Sequence, residues 1–181
     1  MRVAVYCSSS PTIDPDFVDL AFDVGVAIAK EGWELVWGGG AISMMGAVAR
    51  GARSQGGTTI GVIPERLVNL EFQDKESTEL HYVTDMRARK GKIEEISDAF
   101  ITLPGGIGTL EEFFEIWVGR YLGFHSKPIA VCDPTDAYKP LRESLRHLTE
   151  LQFMKPGQEH LVEWCSDISS AISACKAGES R

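Results

Sequence analysis

The feature that most constrains this chain is the regular alternation of short apolar runs with segments of helical periodicity. Ala99–Leu103 and Pro128–Cys132 are apolar without a break, which is typical of strands buried on both faces. Phe17, Leu20 and Val24, by contrast, recur at the spacing of an amphipathic helix. This alternation predicts an α/β fold, a parallel sheet with helices on both faces. The 181 residues suit a single domain covering positions 1–181.

The expected elements cover most of the chain, with a polar loop over Glu65–Glu79. The predicted strands are Val3–Tyr6, Glu34–Trp37, Thr59–Ile63, Leu80–Val83, Ala99–Leu103, Pro128–Cys132 and an edge strand at Leu161–Trp164. The predicted helices are 17–28, Ser43–Ser54, Asp85–Ser97, Gly108–Tyr121, Ala137–Phe153 and Ile168–Lys176. Helix ends are predicted from glycines such as Gly32, which commonly follow the last helical turn.

Three predicted strands end in turns of small residues, which are Cys7–Ser10, Gly38–Gly40 and Pro104–Gly106. Because the carboxyl ends of parallel strands meet at one edge of a sheet, ligands bind there. We therefore expect the three turns to form one ligand cleft. Ser9 in the first turn and Gly39 and Gly40 in the second are expected to contact the ligand. For the glycine turn the alternative is a role in packing alone.

The third turn opens a predicted helix and has the composition of an anion site. Glycines bring backbone N–H groups close to a ligand, and the positive end of a helix favours phosphate. The residues expected to hold this phosphate are Gly105, Gly106, Gly108 and Thr109. A tight turn with no ligand is the alternative. The sequence lacks the Gly-Lys of a Walker loop, and the first strand leads to serines rather than to a dinucleotide fingerprint.

Charged residues near these turns supply candidate chemistry. Arg89 and Lys90 stand early in a predicted helix, where an Arg offers a planar fork to phosphate or carboxylate. A solvated charge cluster is the alternative for this pair. Glu112 lies about one turn after the predicted phosphate, from which a carboxylate could reach a ribose and stabilise an oxocarbenium-like transition state. Acids in a first helical turn can also simply complement the helix dipole.

Composition excludes several other classes of function. With 26 acidic against 18 basic residues the net charge is −8, which disfavours nucleic acid and anionic membranes as partners. No apolar run approaches the roughly 20 residues of a membrane span, and no signal peptide is evident, so we expect a cytoplasmic protein.

The four cysteines form no CxxC pair and the four histidines are scattered. We therefore expect no disulfide, metal or cofactor.

The motif Pro-Gly-Gly-x-Gly-Thr-x-x-Glu at Pro104–Glu112, with Arg89-Lys90 upstream and the Gly38–Gly40 turn, resembles the LONELY GUY (LOG) family. The resemblance runs from Val3 to about Phe153 and is strongest to bacterial, actinobacterial-type members. Members of this family are cytokinin riboside 5′-monophosphate phosphoribohydrolases with a Rossmann-like fold. The resemblance implies hydrolysis of the N-glycosidic bond to free base and ribose 5-phosphate, with AMP also a substrate of many bacterial members.

The resemblance also assigns roles to particular residues. It implies that Arg89 and Glu112 are the catalytic pair and that Lys90 adds charge near the phosphate. Glu71, in the loop before the Arg-Lys helix, is the best match to a further site glutamate. Small members of the family are homodimers, and each active site borrows residues from the partner subunit.

The sequence departs from the family pattern at Ser8, Ser43 and Ala88, which bears on base preference and rate. Members have also carried the label lysine decarboxylase, but no lysine here has the setting of a pyridoxal phosphate Schiff base. The alternative function is a non-catalytic nucleotide or molybdenum-cofactor carrier of related fold. A carrier needs the glycine turns but neither Arg89 nor Glu112.

Overall fold

The computed structural model describes residues 1–68 and 72–177, in which strands and helices alternate as predicted. The strands are β1 (Arg2–Tyr6), β2 (Glu34–Trp37), β3 (Thr59–Pro64), β4 (Glu79–Val83), β5 (Ala99–Thr102), β6 (Ile129–Cys132) and β7 (Glu163–Cys165). The helices are α1 (Pro15–Lys30), α2 (Ser43–Ser54), α3 (Met86–Ile96), α4 (Ile107–Tyr121), α5 (Lys139–Glu150) and α6 (Ile168–Lys176). Short 3-10 turns occupy Glu65–Leu67 and Gln158–Leu161.

All seven strands form one sheet in the order β4-β3-β2-β1-β5-β6-β7, and every neighbouring pair is parallel. The chain starts in the middle of the sheet at β1 and winds outward to β4. It then crosses back to place β5 against the free side of β1 and winds outward again to β7. The direction of winding therefore reverses between β1 and β5, which is where doubly wound sheets bind ligands.

Helices cover both faces of the sheet, so the predicted α/β architecture is confirmed. One face packs on α1, α2 and α6 through a core that includes Val24, Val48 and Ile172. The other face packs on α3, α4 and α5, with Ile93 and Phe113 in its core. Alternate residues of one strand serve the two cores, as expected from the two-residue period of a strand.

Some predicted boundaries were wrong. The fifth helix covers Lys139–Glu150 rather than Ala137–Phe153, since Pro140 sits in its first turn and Gln152 has a positive φ of 65°. The edge strand begins at Glu163 rather than Leu161, because Gln158–Leu161 forms a 3-10 turn instead. The loop predicted over Glu65–Glu79 includes a further 3-10 turn and gives its last residue to β4.

Helices α1 and α2 touch main chain to main chain. A Cβ added at Gly25 of α1 would lie 2.0 Å from the carbonyl oxygen of Val48. A Cβ added at Gly51 of α2 would lie 2.0 Å from the carbonyl oxygen of Phe22. The atoms in contact belong to the main chain, so moving a side chain cannot make room for an added Cβ. This contact therefore fixes the position of α2 and of the β2–α2 turn that leads into it.

We expect Gly51→Ala to lower the free energy of unfolding by about 1–3 kcal/mol, as overpacking of a close contact does. The matched control is Gly91→Ala on α3, where an added Cβ has no neighbour within 4 Å. That change should raise the free energy of unfolding by roughly 0.5–1 kcal/mol, since alanine loses less backbone entropy than glycine. Urea unfolding followed by circular dichroism measures both. Equal stability of Gly51→Ala and the unmodified chain would contradict the close approach of the helices.

Candidate active site

A cavity of about 290 Å³ opens at the carboxyl ends of β1 and β5, where the winding of the sheet reverses. Four parts of the chain line it: residues 5–10, Gly38 with Met45, Met86 with Arg89, and the start of α4 at Gly106, Gly108, Thr109, Glu111 and Glu112. All three predicted turns thus contribute to one cleft. Ser9 lies in its wall, as expected.

Arg89 enters this cavity from the first turns of α3. The N-cap of α3 is Asp85, whose carboxylate accepts the N–H of Ala88 at 2.9 Å, and this bond lowers the pKa of Asp85. The capping carboxylate also offsets the basic residues that follow it in the first turn. Arg89 itself is only 4% exposed, so it is not a solvated surface residue.

The Arg89 guanidinium is held against the second turn of the cleft. Its Nη2 donates to the carbonyl oxygen of Gly38 at 3.0 Å. A Cβ at Gly38 would lie 1.7 Å from that nitrogen, so only glycine leaves room for it. A buried guanidinium on the wall of a cavity is suited to binding an anionic group by charge-assisted hydrogen bonds.

Glu112 reaches the same cavity from α4, on the other side of the sheet's reversal point. The pKa values of Tyr6 and Cys7 are both raised, first by burial and second by the negative charge of the Glu112 carboxylate. The positive charge of Arg89 acts in the opposite direction. The phenol and the thiol therefore stay neutral at physiological pH. Arg89 and Glu112, far apart in sequence, supply charges of opposite sign to one small cavity.

Helix α4 begins earlier than predicted. Gly106 is its N-cap and Ile107 its first residue, although we expected a start at Gly108. The helical hydrogen bonds begin with the N–H of Leu110 bonding to the carbonyl of Gly106 at 3.0 Å. The preceding amides have no acceptor within the helix and can bind a ligand anion.

Gly105 and Thr109, both predicted to hold the phosphate, pack against each other at the start of α4. Thr109 lies inside the helix and is 5% exposed. A Cβ at Gly105 would lie 2.3 Å from the Oγ1 of Thr109. The N–H of Gly105 donates to the Tyr138 hydroxyl at 2.7 Å. Gly105 is also absent from the described lining of the cavity, whereas Gly106, Gly108 and Thr109 belong to it.

The structure places Lys90 outside the cavity. Its Nζ forms an ion pair with Glu115 at 2.7 Å and another with Glu111. Successive helical residues point about 100° apart, so Arg89 and Lys90 face different surroundings. Lys90 therefore helps to join α3 to α4 in this chain.

Gly39 and Gly40 are also absent from the described lining of the cavity, and Gly38 is the residue of this turn that lines it. Gly39 has a φ of 75° and sits against Ile63 and Leu80. The carbonyl of Gly40 accepts the indole N–H of Trp37 at 3.1 Å. These two glycines shape the turn. Glu71, predicted as a further site residue, lies outside the described residues.

The three residues that depart from the family pattern all take part in hydrogen bonds near the cavity. Ser43 has a φ of 51°, in the left-handed region that favours glycine, and its Oγ donates to the carbonyl of Ser10 at 2.5 Å. The hydroxyl of Ser8 accepts the N–H of Ser10 at 3.1 Å. Both serines thus hold the turn after β1 in place. Ala88 supplies the amide that Asp85 caps.

Sequence reasoning missed Met45 and Met86, which line the cavity. Flexible thioether side chains adapt to an apolar ligand surface such as a base. The available signal was their position in the first helical turn after a predicted strand. Among the described residues, no three His, Cys, Asp or Glu side chains are grouped to hold a metal ion. No described helix is long and apolar enough to cross a membrane.

A family profile described as "Possible lysine decarboxylase" matches residues 45–175. A Mycobacterium tuberculosis protein named cytokinin riboside 5′-monophosphate phosphoribohydrolase is 46% identical over 173 residues, covering 96% of this chain and 92% of that one. A Rhodococcoides fascians protein of the same name is 40% identical over 176 residues, covering 97% and 89%.

Among solved structures, the molybdenum cofactor binding protein of Rippkaea orientalis has a TM-score of 0.74. It is 22% identical and covers 97% of this chain and 95% of that one, so it shows the fold alone. The Rossmann-like fold implied by the sequence resemblance is thus confirmed. Because the family profile matches residues 45–175 and the two relatives match over 96% and 97% of its length, this chain belongs to the LONELY GUY family of cytokinin riboside 5′-monophosphate phosphoribohydrolases.

Proposed function

We propose that this protein hydrolyses the N-glycosidic bond of cytokinin riboside 5′-monophosphates, and of AMP, to free base and ribose 5-phosphate. The single observation that carries the proposal is the meeting of Arg89 and Glu112 in one cavity beside the start of α4. The names of the relatives support the same reaction. The cavity volume of about 290 Å³ is at the lower end of small-ligand pockets.

In this proposal the 5′-phosphate lies at the start of α4, by Gly106, Gly108 and Thr109. The free N–H groups there lie at the positive end of the helix dipole, which attracts an anion. Arg89 adds a buried positive charge that binds the phosphate or polarises the ribosyl unit. Because these groups are held rigidly before the substrate arrives, little reorganisation is needed during reaction.

Glu112 is then placed to act on the ribose. As the bond between C1′ and the base breaks, its electron pair leaves with the base and positive charge develops on the ribosyl ring. The carboxylate stabilises that charge and orients a water molecule, whose hydroxyl bonds to C1′. The proton released from the water balances the one that the departing base takes up.

We expect Glu112→Gln to lower kcat about 10²- to 10³-fold with AMP, because the amide cannot stabilise positive charge as a carboxylate does. Release of adenine from AMP, and of free base from an isoprenyl-AMP, is measured by chromatography. The control is Glu115→Gln on the same helix, which lies outside the described lining of the cavity and should retain activity. Full activity of Glu112→Gln would refute its role. Nucleotide binding without any base release by the unmodified protein would favour the carrier function.

The contact between Gly38 and Arg89 can be tested by the same assay. Gly38→Ala places a methyl group where the guanidinium lies, so the charged hydrogen bond to the carbonyl is lost. Such bonds contribute about 1.5–3 kcal/mol, so kcat/KM should fall at least about tenfold. Thermal unfolding checks that the variant folds, and Gly91→Ala on the same helix as Arg89 serves as the active control. Unchanged kcat/KM in a folded Gly38→Ala would show that the position of Arg89 does not matter.

The proposal includes a homodimer with shared active sites, acting in the cytoplasm on a small-molecule nucleotide rather than on nucleic acid or membrane. A charged nucleotide does not cross a bilayer unaided, so its hydrolase is expected where it is made. Support for a dimer comes from apolar side chains left exposed at the end of α4 and after it. Val118, Leu122 and Phe124 are 51%, 56% and 78% exposed.

We expect light scattering to give twice the 19.9 kDa mass of the chain. Leu122→Glu should shift the protein towards monomer and lower its activity, because a charge in an apolar interface carries a desolvation cost. The control is Leu151→Glu on another exposed apolar position after α5. A monomeric unmodified protein with full activity would refute both the dimer and the sharing of sites.

A further inference from the structure

Tyr138 lies next to the turn that leads into α4 without lining the cavity. Its hydroxyl accepts the N–H of Gly105 at 2.7 Å. The hydroxyl proton is within reach of two carbonyl oxygens, those of Leu103 at 3.2 Å and of Gly105 at 3.1 Å. One side chain therefore bonds the main chain on both sides of Pro104. Tyr138 is 7% exposed, so water competes little for these bonds.

Tyr138 is itself held by Asp133 at the end of β6. The Asp133 carboxylate accepts the N–H of Tyr138 at 2.8 Å and that of Ala137 at 2.9 Å. It also accepts the hydroxyl of Thr135 at 3.2 Å, and the N–H of Asp133 bonds to the carbonyl of Cys165 at 2.9 Å. The turn after β6 is thus fixed by its own hydrogen bonds before Tyr138 reaches the neighbouring turn.

We propose that Tyr138 is a positioning residue that sets the main chain of Leu103–Gly105 so that the first amides of α4 face the phosphate. The inference rests on the proposed function, in which that turn holds the 5′-phosphate. Without the hydroxyl, the N–H of Gly105 loses its acceptor in a place with little water, which is costly. The turn must then shift to find another acceptor, and the amides that follow it in the chain shift too.

The chemistry of the hydroxyl suits this task. Burial raises the pKa of Tyr138 to about 12, so the group remains protonated and can donate and accept at once over the whole neutral range. A phenylalanine would fill nearly the same volume and provide neither function. The hydroxyl acts on the phosphate only through the turn, so its loss should weaken phosphate binding and leave base binding unchanged.

The test compares Tyr138→Phe with the unmodified protein by two-dimensional ¹⁵N NMR. Ribose 5-phosphate, inorganic phosphate and adenine are titrated separately, and the amides of Gly106 and Gly108 report binding. We expect the Kd of both phosphates to rise about tenfold, the effect of losing roughly one hydrogen bond, and the Kd of adenine to stay within about twofold. The amide of Gly105 should exchange with solvent faster. With AMP, KM should rise more than kcat falls.

Tyr121→Phe is the matched control, since it deletes a tyrosine hydroxyl at the far end of α4 and should change none of these values. Unchanged phosphate affinity in Tyr138→Phe, or an equal loss for phosphate and adenine, would overturn the inference. If the unmodified protein bound phosphate at this turn but released no base, the proposed function would fail while the role of Tyr138 could still be confirmed.

A second variant keeps the inference testable if Tyr138→Phe does not fold. Asp133→Asn weakens the turn that carries Tyr138 and leaves the phenol in place. We expect a smaller loss of phosphate affinity in the same direction, with adenine binding unchanged. A uniform loss for both ligands in Asp133→Asn would contradict the inference.

Discussion

The buried guanidinium of Arg89 is the constraint on which the rest of the site depends. Removing a positive charge from water is costly unless dipoles or opposite charges surround it. The carbonyl of Gly38 supplies one such dipole, which requires the residue directly after β2 to have no side chain. Asp85 must start α3 at the right residue so that Arg89 faces inward. Glu112 adds a negative charge to the same cavity from the opposite half of the sheet.

The order of strands and helices could be predicted because buried parallel strands and amphipathic helices have different periods. The location of the cleft could also be predicted, since parallel strands bring their carboxyl ends to one edge. What the sequence did not reveal was which way individual side chains face. Arg89 and Lys90 are adjacent and similarly charged, but one enters the cavity while the other pairs with Glu111 and Glu115. A helical step of about 100° separates two roles that composition cannot distinguish.

The glycine turns show the same limit at the level of the main chain. Their composition indicated that another group lies close to the main chain, but not which group. For Gly38 that group is the Arg89 side chain, and for Gly105 it is Thr109 and the Tyr138 hydroxyl. Nothing in the sequence near Pro104 points to Tyr138, because the pairing of β5 with β6 brings them together. The early start of α4 was equally hidden, since Gly106 caps it without any side chain.

The reversal of winding between β1 and β5 has a consequence for cooperativity. Gly38 belongs to the half of the sheet that comes first in the sequence, and Thr109 and Glu112 belong to the other half. A ligand bound in the cavity as proposed would contact both halves, so its binding energy would oppose their separation as well as the unfolding of either. At a ligand concentration of 100 times Kd this linkage is worth about 2.7 kcal/mol. The substrate would then hold the two halves of the sheet together, and unfolding of either half would release it.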